Sequence, residues 1–129
     1  MARIKESVKE LMAKVDSLEN DEDKEMEKEL IDSLAKDCAD YISAISDMEN
    51  AINIGRFTLE GDDYRDCIAN LDKNRMIKHN VVISGVKVLN RLCLLNGLKP
   101  IFQGDTNSRI QVADFAKEYV DELYGERKL

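Results

Sequence analysis

Several things are scarce in this chain, and each scarcity removes a class of mechanism. Tryptophan is absent, and proline and histidine occur once each. A single histidine cannot supply an HExxH zinc motif or the paired ExxH motifs of a di-iron bundle. No Gly-rich phosphate loop, GxGxxG or GxSxG is present, which removes the usual signatures of nucleotide binding and serine hydrolysis. The acidic run at 19–29 has neither the glycine nor the alternation of a calcium loop, and reads as a solvated helix start. No metal and no cofactor is therefore expected. The three cysteines, Cys38, Cys67 and Cys93, lack CxxC spacing and sit among apolar helix positions, so they read as reduced core thiols. No apolar run approaches the ~18 residues of a membrane span. The opening "MARIKESVKELMAK" lacks the apolar centre of a signal peptide. A cytoplasmic protein without membrane contact is expected.

What is present is charge and helix-compatible composition. The 129 residues are 43% hydrophobic and 35% charged, with a formal net charge of −7. The length predicts one domain, 1–129, able to bury a core without staples. The overall negative charge disfavours nucleic acid as a partner. Charge is also uneven. Residues 1–60 hold 8 basic and 16 acidic side chains, net −8, whereas residues 61–104 hold 7 and 4, net +3. The two halves are suited to pack on each other or to associate head to tail; solvated helix faces are the plainer reading.

Apolar periodicity predicts an all-α fold, a four-helix bundle with long second and third helices. The first helix covers about 3–18, with Ile4, Val8, Leu11, Val15 and Leu18 on one stripe. Asn20 or Asp21 is placed to cap the second, whose Ile31, Leu34, Cys38, Tyr41, Ile45, Met48 and Ile52 alternate spacings of three and four. "GRFTLEGDD" at 55–63 interrupts the pattern, and "RFTLE" at 56–60 is predicted to pair as a short strand with 99–103. The third helix runs from Asp62 or Asp63 to about Asn96, with Gly97 as a left-handed cap and Pro100 preventing continuation. Gly85 within it predicts close approach by another helix. The fourth is expected to open at Asp105 or Thr106 and end near Glu126. It is apolar around well over half its circumference, so it is expected to sit in a groove of the bundle or against a second protomer.

Candidate chemistry concentrates in "RMIKHNVVISGVKVLNRL", residues 75–92. At 100° per residue, Arg75, His79 and Asn90 fall within about 60° of one another, on the stripe that also carries Val82, Val86 and Cys93. Asn80 and Arg91 project elsewhere. Polar groups on a core-facing stripe need partners. Asp72 can reach Arg75, and Arg75 can reach His79, with acids of the second or fourth helix completing the network. Asp72, Arg75, His79 and Asn90 are thus a candidate polar clamp fixing helix register, or a ligand site. As chemistry, His79 would be a general acid–base and Arg75 an anion stabiliser. Lys73, Lys78, Lys87 and Arg91 form a candidate basic surface.

The segments "RMIKHN…LNRLCLLNGLKPIF" and "VADFAKEYVDELYGER" resemble a family of small bacterial proteins known as a domain of unknown function, with paired HN and NR signatures between about Arg75 and Arg127. The resemblance implies a compact helical fold and no particular activity. Arg75 and His79 also resemble the Arg–His signature of the all-helical HEPN ribonucleases, which place those residues near a dimer interface. That signature has four to six intervening residues, and here there are three. The expectation is a non-enzymatic interaction or regulatory module with a protein partner, such as a second copy in a homodimer. The alternative is a HEPN-like ribonuclease or an anion-binding site on Arg75 and His79.

Overall fold

The computed structural model describes residues 2–58 and 61–127 and is an all-α four-helix bundle: α1 Ala2–Asp16, α2 Asp21–Thr58, α3 Gly61–Leu95 and α4 Arg109–Arg127. Each start and stop has a local cause. Asn20 caps α2: its Oδ1 accepts from the amides of Glu22 (2.9 Å) and Asp23 (3.2 Å). Asp21, Glu22 and Asp23 then place negative charge at the positive end of the helix dipole. At the end of α3, Gly97 adopts φ 72°. The amide of Leu98 donates to the carbonyl of Cys93 (2.8 Å) and that of Gly97 to Leu94 (3.1 Å). This is the Schellman arrangement expected from the glycine and the apolar residue after it.

Two expectations are corrected. There is no strand among the described residues. α2 continues helically through Gly55–Thr58, and 99–103 is irregular chain pinned by side chains rather than by a ladder. Leu59 and Glu60, the end of the expected strand, lie outside the described residues. A glycine and two β-favouring residues did not outweigh the continuing hydrogen-bond ladder of a long helix. The second correction is the start of α4. Its cap is Ser108, whose Oγ accepts from the Gln111 amide (3.2 Å). Asp105 instead closes a turn ahead of the helix, its Oδ1 accepting from the Asn107 amide (2.9 Å).

The core draws on all four helices. Val8, Leu11 and Val15 of α1 meet Ile31, Leu34, Cys38 and Tyr41 of α2, Val82, Val86, Leu89 and Cys93 of α3, and Val112, Phe115, Ala116 and Tyr119 of α4. α4 packs mainly on α2, then on α1, and only lightly on α3, so the groove reading of its broad apolar surface holds. Tyr119, buried within it, donates its hydroxyl to the carbonyl of Ile31 (2.7 Å). The α2–α3 pair is the most extensive contact. At Gly85 a Cβ would lie 2.9 Å from Leu34 Cδ1, so the glycine marks where α2 comes close.

Helix lengths are unequal. At about 1.5 Å per residue, α2 and α3 span roughly 57 and 52 Å, whereas α1 and α4 span about 22 and 28 Å. Between Ala44 and Arg75, no residue whose burial is described is fully buried. The outer parts of α2 and α3 therefore form a two-helix arm that α1 and α4 do not cover.

The thiols differ accordingly. Cys38 and Cys93 are buried and Cys67, on the arm, is half-buried. Burial, and secondarily the charge of Asp37, pushes the Cys38 thiol up to about 12. Burial also raises Cys93, against a backbone hydrogen bond from Ile101. Because the thiolate is the reactive form, native protein at neutral pH should be labelled by a maleimide first at Cys67. Cys38 should react on the order of a thousandfold more slowly than an ordinary thiol. Equal labelling of all three, read by mass spectrometry of native protein, would contradict this packing.

Candidate functional site

The sequence places Asp72, Arg75, His79 and Asn90 on the inward side of α3, and the structure finds Arg75 6% and His79 9% exposed. They do not form one cluster. His79 lies between α2 and the chain that joins α3 to α4: its Nδ1 is 3.1 Å from the Tyr41 hydroxyl, and its Nε2 is 3.0 Å from the carbonyl oxygen of Thr106. A carbonyl can only accept, so Nε2 carries a proton and donates. In the neutral ring Nδ1 is then bare and accepts from the Tyr41 O–H, a tautomer assigned from this geometry. The Tyr41 and His79 rings meet edge to face with centroids 5.5 Å apart. Both imidazole nitrogens are thus engaged by the protein itself.

Asn90 makes a similar attachment three turns further along α3. Its Nδ2 donates to the Phe102 carbonyl (3.1 Å), and its Oδ1 accepts from the Phe102 amide (3.2 Å). One side-chain amide thereby satisfies both backbone groups of a residue in an irregular segment. The same segment buries Ile101 and sets the Phe102 ring against Phe115, centroids 5.2 Å apart. Its far end is tied by Gln111, whose Oε1 accepts from the Asp105 amide (2.8 Å). Gly104 fits beneath that contact: a Cβ there would collide with the Gln111 Oε1. Of the four residues expected to form one clamp, His79 and Asn90 hold the 96–108 connection, whereas Asp72 and Arg75 pair with each other elsewhere on α3. The sequence did not identify Tyr41, Phe102 or Thr106 as the partners of His79 and Asn90. Two of them contribute only backbone atoms, which no side-chain pattern advertises.

Arg75 belongs to a different place. Its Nε donates to Asp72 Oδ1 (3.0 Å), as the i, i+3 spacing predicted. The expected link from Arg75 to His79 is not formed, because His79 is turned to Tyr41 and Thr106. No acid of α2 or α4 is bonded to either residue among the described contacts. Arg75 Nη2 is enclosed without a hydrogen-bond partner. Arg75 also lines a cavity of about 270 Å³ between α2, α3 and the start of α4, opposite Ile45, Met48 and Arg109.

The basic surface divides as well. Lys73, Lys87 and Arg91 are exposed, whereas Lys78 is half-buried on the side facing α2. There Asp37 is pushed above the usual carboxylate range by burial and by Asp40, while Lys36 and Lys78 pull it down. Beside the exposed bases run Ile77, Val81, Val88 and Leu95, all exposed, with Ser84 between the two valines. Among the described residues, no group of three or more His, Cys, Asp or Glu could hold a metal ion. No described helix is long and apolar enough to cross a membrane.

The chain matches, over residues 2–129, the family described as a protein of unknown function (DUF3232), and it belongs to that family. No curated protein and no solved structure matches it.

The clamp makes a quantitative prediction. His79→Ala removes two buried hydrogen bonds and leaves the Tyr41 hydroxyl unpaired, a cost of about 2–4 kcal/mol. That corresponds to a melting temperature lower by on the order of 10 °C. Asn90→Ala should cost about half as much. Because both side chains hold one segment, the double variant should lose less than the sum of the two, a non-additivity that calorimetry of all four proteins would read. Strict additivity would mean the two ends of the connection are held independently.

Proposed function

We propose that this protein is a non-enzymatic cytoplasmic interaction module, a single helical-bundle domain over 1–129, that pairs with a second copy of itself through the outer face of α3. The observation that carries the reading is the exposed apolar stripe Ile77, Val81, Val88 and Leu95. Its members recur at heptad-compatible spacings along about five turns, the pattern with which one helix packs on another. A stripe this apolar on the outside of a chain with 35% charged residues is a surface that favours cover. The stripe is also close to self-complementary. In an antiparallel pair with its two-fold axis between Ser84 and Gly85, Val81 of one copy meets Val88 of the other and these two small residues lie at the crossing, as a two-fold interface requires.

The non-enzymatic half of the reading is supported by His79. A general base needs a nitrogen that can reach substrate, and both of its nitrogens are occupied within the fold. Arg75 shares no hydrogen bond with it and is directed to Asp72 instead. These contacts favour an interaction role over the HEPN-like ribonuclease alternative.

Charge sets the sign of a test. Lys73, Lys87 and Arg91 flank the stripe, so self-pairing brings like charges together, and added salt screens that repulsion. Sedimentation should give twice the 14.7 kDa chain mass, with association strengthening as salt rises from low to physiological ionic strength. Ile77→Ser with Val88→Ser should return a monomer of unchanged helical content. A wild-type monomer at every concentration and salt would remove the self-pairing. Association that weakens with salt would point to an acidic surface as the site of contact instead.

A further inference from the structure

We propose that the cavity between α2, α3 and the start of α4 binds a carboxylate carrying a short apolar chain, its head held by Arg75 and Arg109. This site faces the interior side of α3, away from the stripe on its outer face, and does not depend on self-association.

The case begins with an unpaired donor. Arg75 is 6% exposed and lines the cavity, its Nε is committed to Asp72, and its Nη2 has no hydrogen-bond partner but is closed to solvent, so the guanidinium must turn to present it to an occupant. A buried guanidinium N–H left unpaired is costly, and such groups are found where a partner belongs. Arginine is also the side chain whose planar fork best fits a carboxylate. Arg109, the first residue of α4, lies on the same cavity and is exposed, so its guanidinium can turn onto an occupant. The start of the 19-residue α4 adds the positive end of a helix dipole. Glu49 also lines the cavity but is exposed, so its carboxylate can turn out to solvent and leave Arg109 and the unpaired nitrogen of Arg75 to an occupant.

The remaining wall excludes a purely polar occupant. Ile45, Met48 and Ile52 of α2 and Ile110 of α4 line it. Ile45, Met48 and Ile52 continue the core seam of α2 beyond the point where α1 and α4 cover it, so they are only half-buried. An apolar chain laid on them would complete the burial that the seam begins. The volume of about 270 Å³ limits its length. At about 30 Å³ per water-sized unit, the space holds roughly nine or ten non-hydrogen atoms, the size of octanoate. A few polar groups converging at one end of an apolar cavity is the usual construction of a small-ligand site.

The test is calorimetric titration of the full chain with octanoate, 1-octanol and inorganic phosphate. Octanoate should bind saturably at one site, with 1-octanol and phosphate each at least about tenfold weaker, since each lacks one half of the recognition. Arg109→Ala should weaken octanoate by about tenfold. Met48→Trp, which fills the apolar end, should abolish binding. Both variants keep Arg75 and its ion pair, so each should remain folded, and circular dichroism checks this. Four results would overturn the proposal. One is no saturable binding of octanoate up to ~10 mM. Another is octanol binding as well as octanoate, which removes the anion subsite. A third is phosphate binding as well as octanoate, which removes the apolar one. The last is wild-type affinity in both folded variants.

Discussion

The connection between α3 and α4 is the constraint on which the rest of the structure depends. Residues 96–108 carry no helix or strand, yet they run back along α3 from Cys93 past Asn90 to His79 and bury Ile101. Irregular chain of this length inside a compact fold is uncommon, because its amides and carbonyls have no ladder to satisfy them. Here α3 supplies the missing partners from its own inward face. Asn90 takes both backbone groups of Phe102, and His79 donates to Thr106. Held in this way, the segment delivers α4 into the groove between α1 and α2, where Val112, Phe115, Ala116 and Tyr119 complete the core. Without those bonds the same apolar helix would have no fixed entry point.

A second consequence follows from unequal helix lengths. α4 and α1 are too short to cover α2 and α3 along their full length, so the seam of α2 is fully buried at Ile31, Leu34, Cys38 and Tyr41 and half-buried from Ile45 onward. Sequence periodicity is uniform across that boundary. The spacing of three and four continues from Ile31 to Ile52 with no signal of where cover ends. Cover is a property of the partner helices, and it depends on where α4 begins. Ser108 sets that beginning, three residues later than Asp105, and so leaves Arg109 and Ile110 at the edge of the uncovered seam.

Legibility in the sequence divides along the same physical line. The four helices, the Asn20 cap, the Gly97 stop and the close approach at Gly85 are each written in residues whose preference is local, and the structure agrees with each. The inward placement of Arg75, His79 and Asn90 followed from helical geometry alone. What faced them did not, because the partners are the carbonyls of Thr106 and Phe102 and a tyrosine 38 positions away. A backbone carbonyl has the same chemistry at every residue and leaves no mark in a sequence. The strand expected at 56–60 failed for the opposite reason: a local β preference was present, and the cooperative ladder of a long helix overrode it.

Arg75 and His79 show how much the second partner decides. They stand one turn apart on one helix, are almost equally buried, and have similar neighbours in the sequence. His79 has two hydrogen-bonding atoms, and the fold uses both. Arg75 has five N–H donors, and Asp72, one turn earlier on the same helix, can meet only part of them. An imidazole bonded at both nitrogens is tied into the fold at both ends. A buried guanidinium paired through one nitrogen and unpaired at another has donors to spare, and only an acceptor can meet them. Arg75 and His79 therefore share no hydrogen bond despite standing one turn apart. The two residues answer different requirements, one of the connection that builds the fold and one of the uncovered seam beside it.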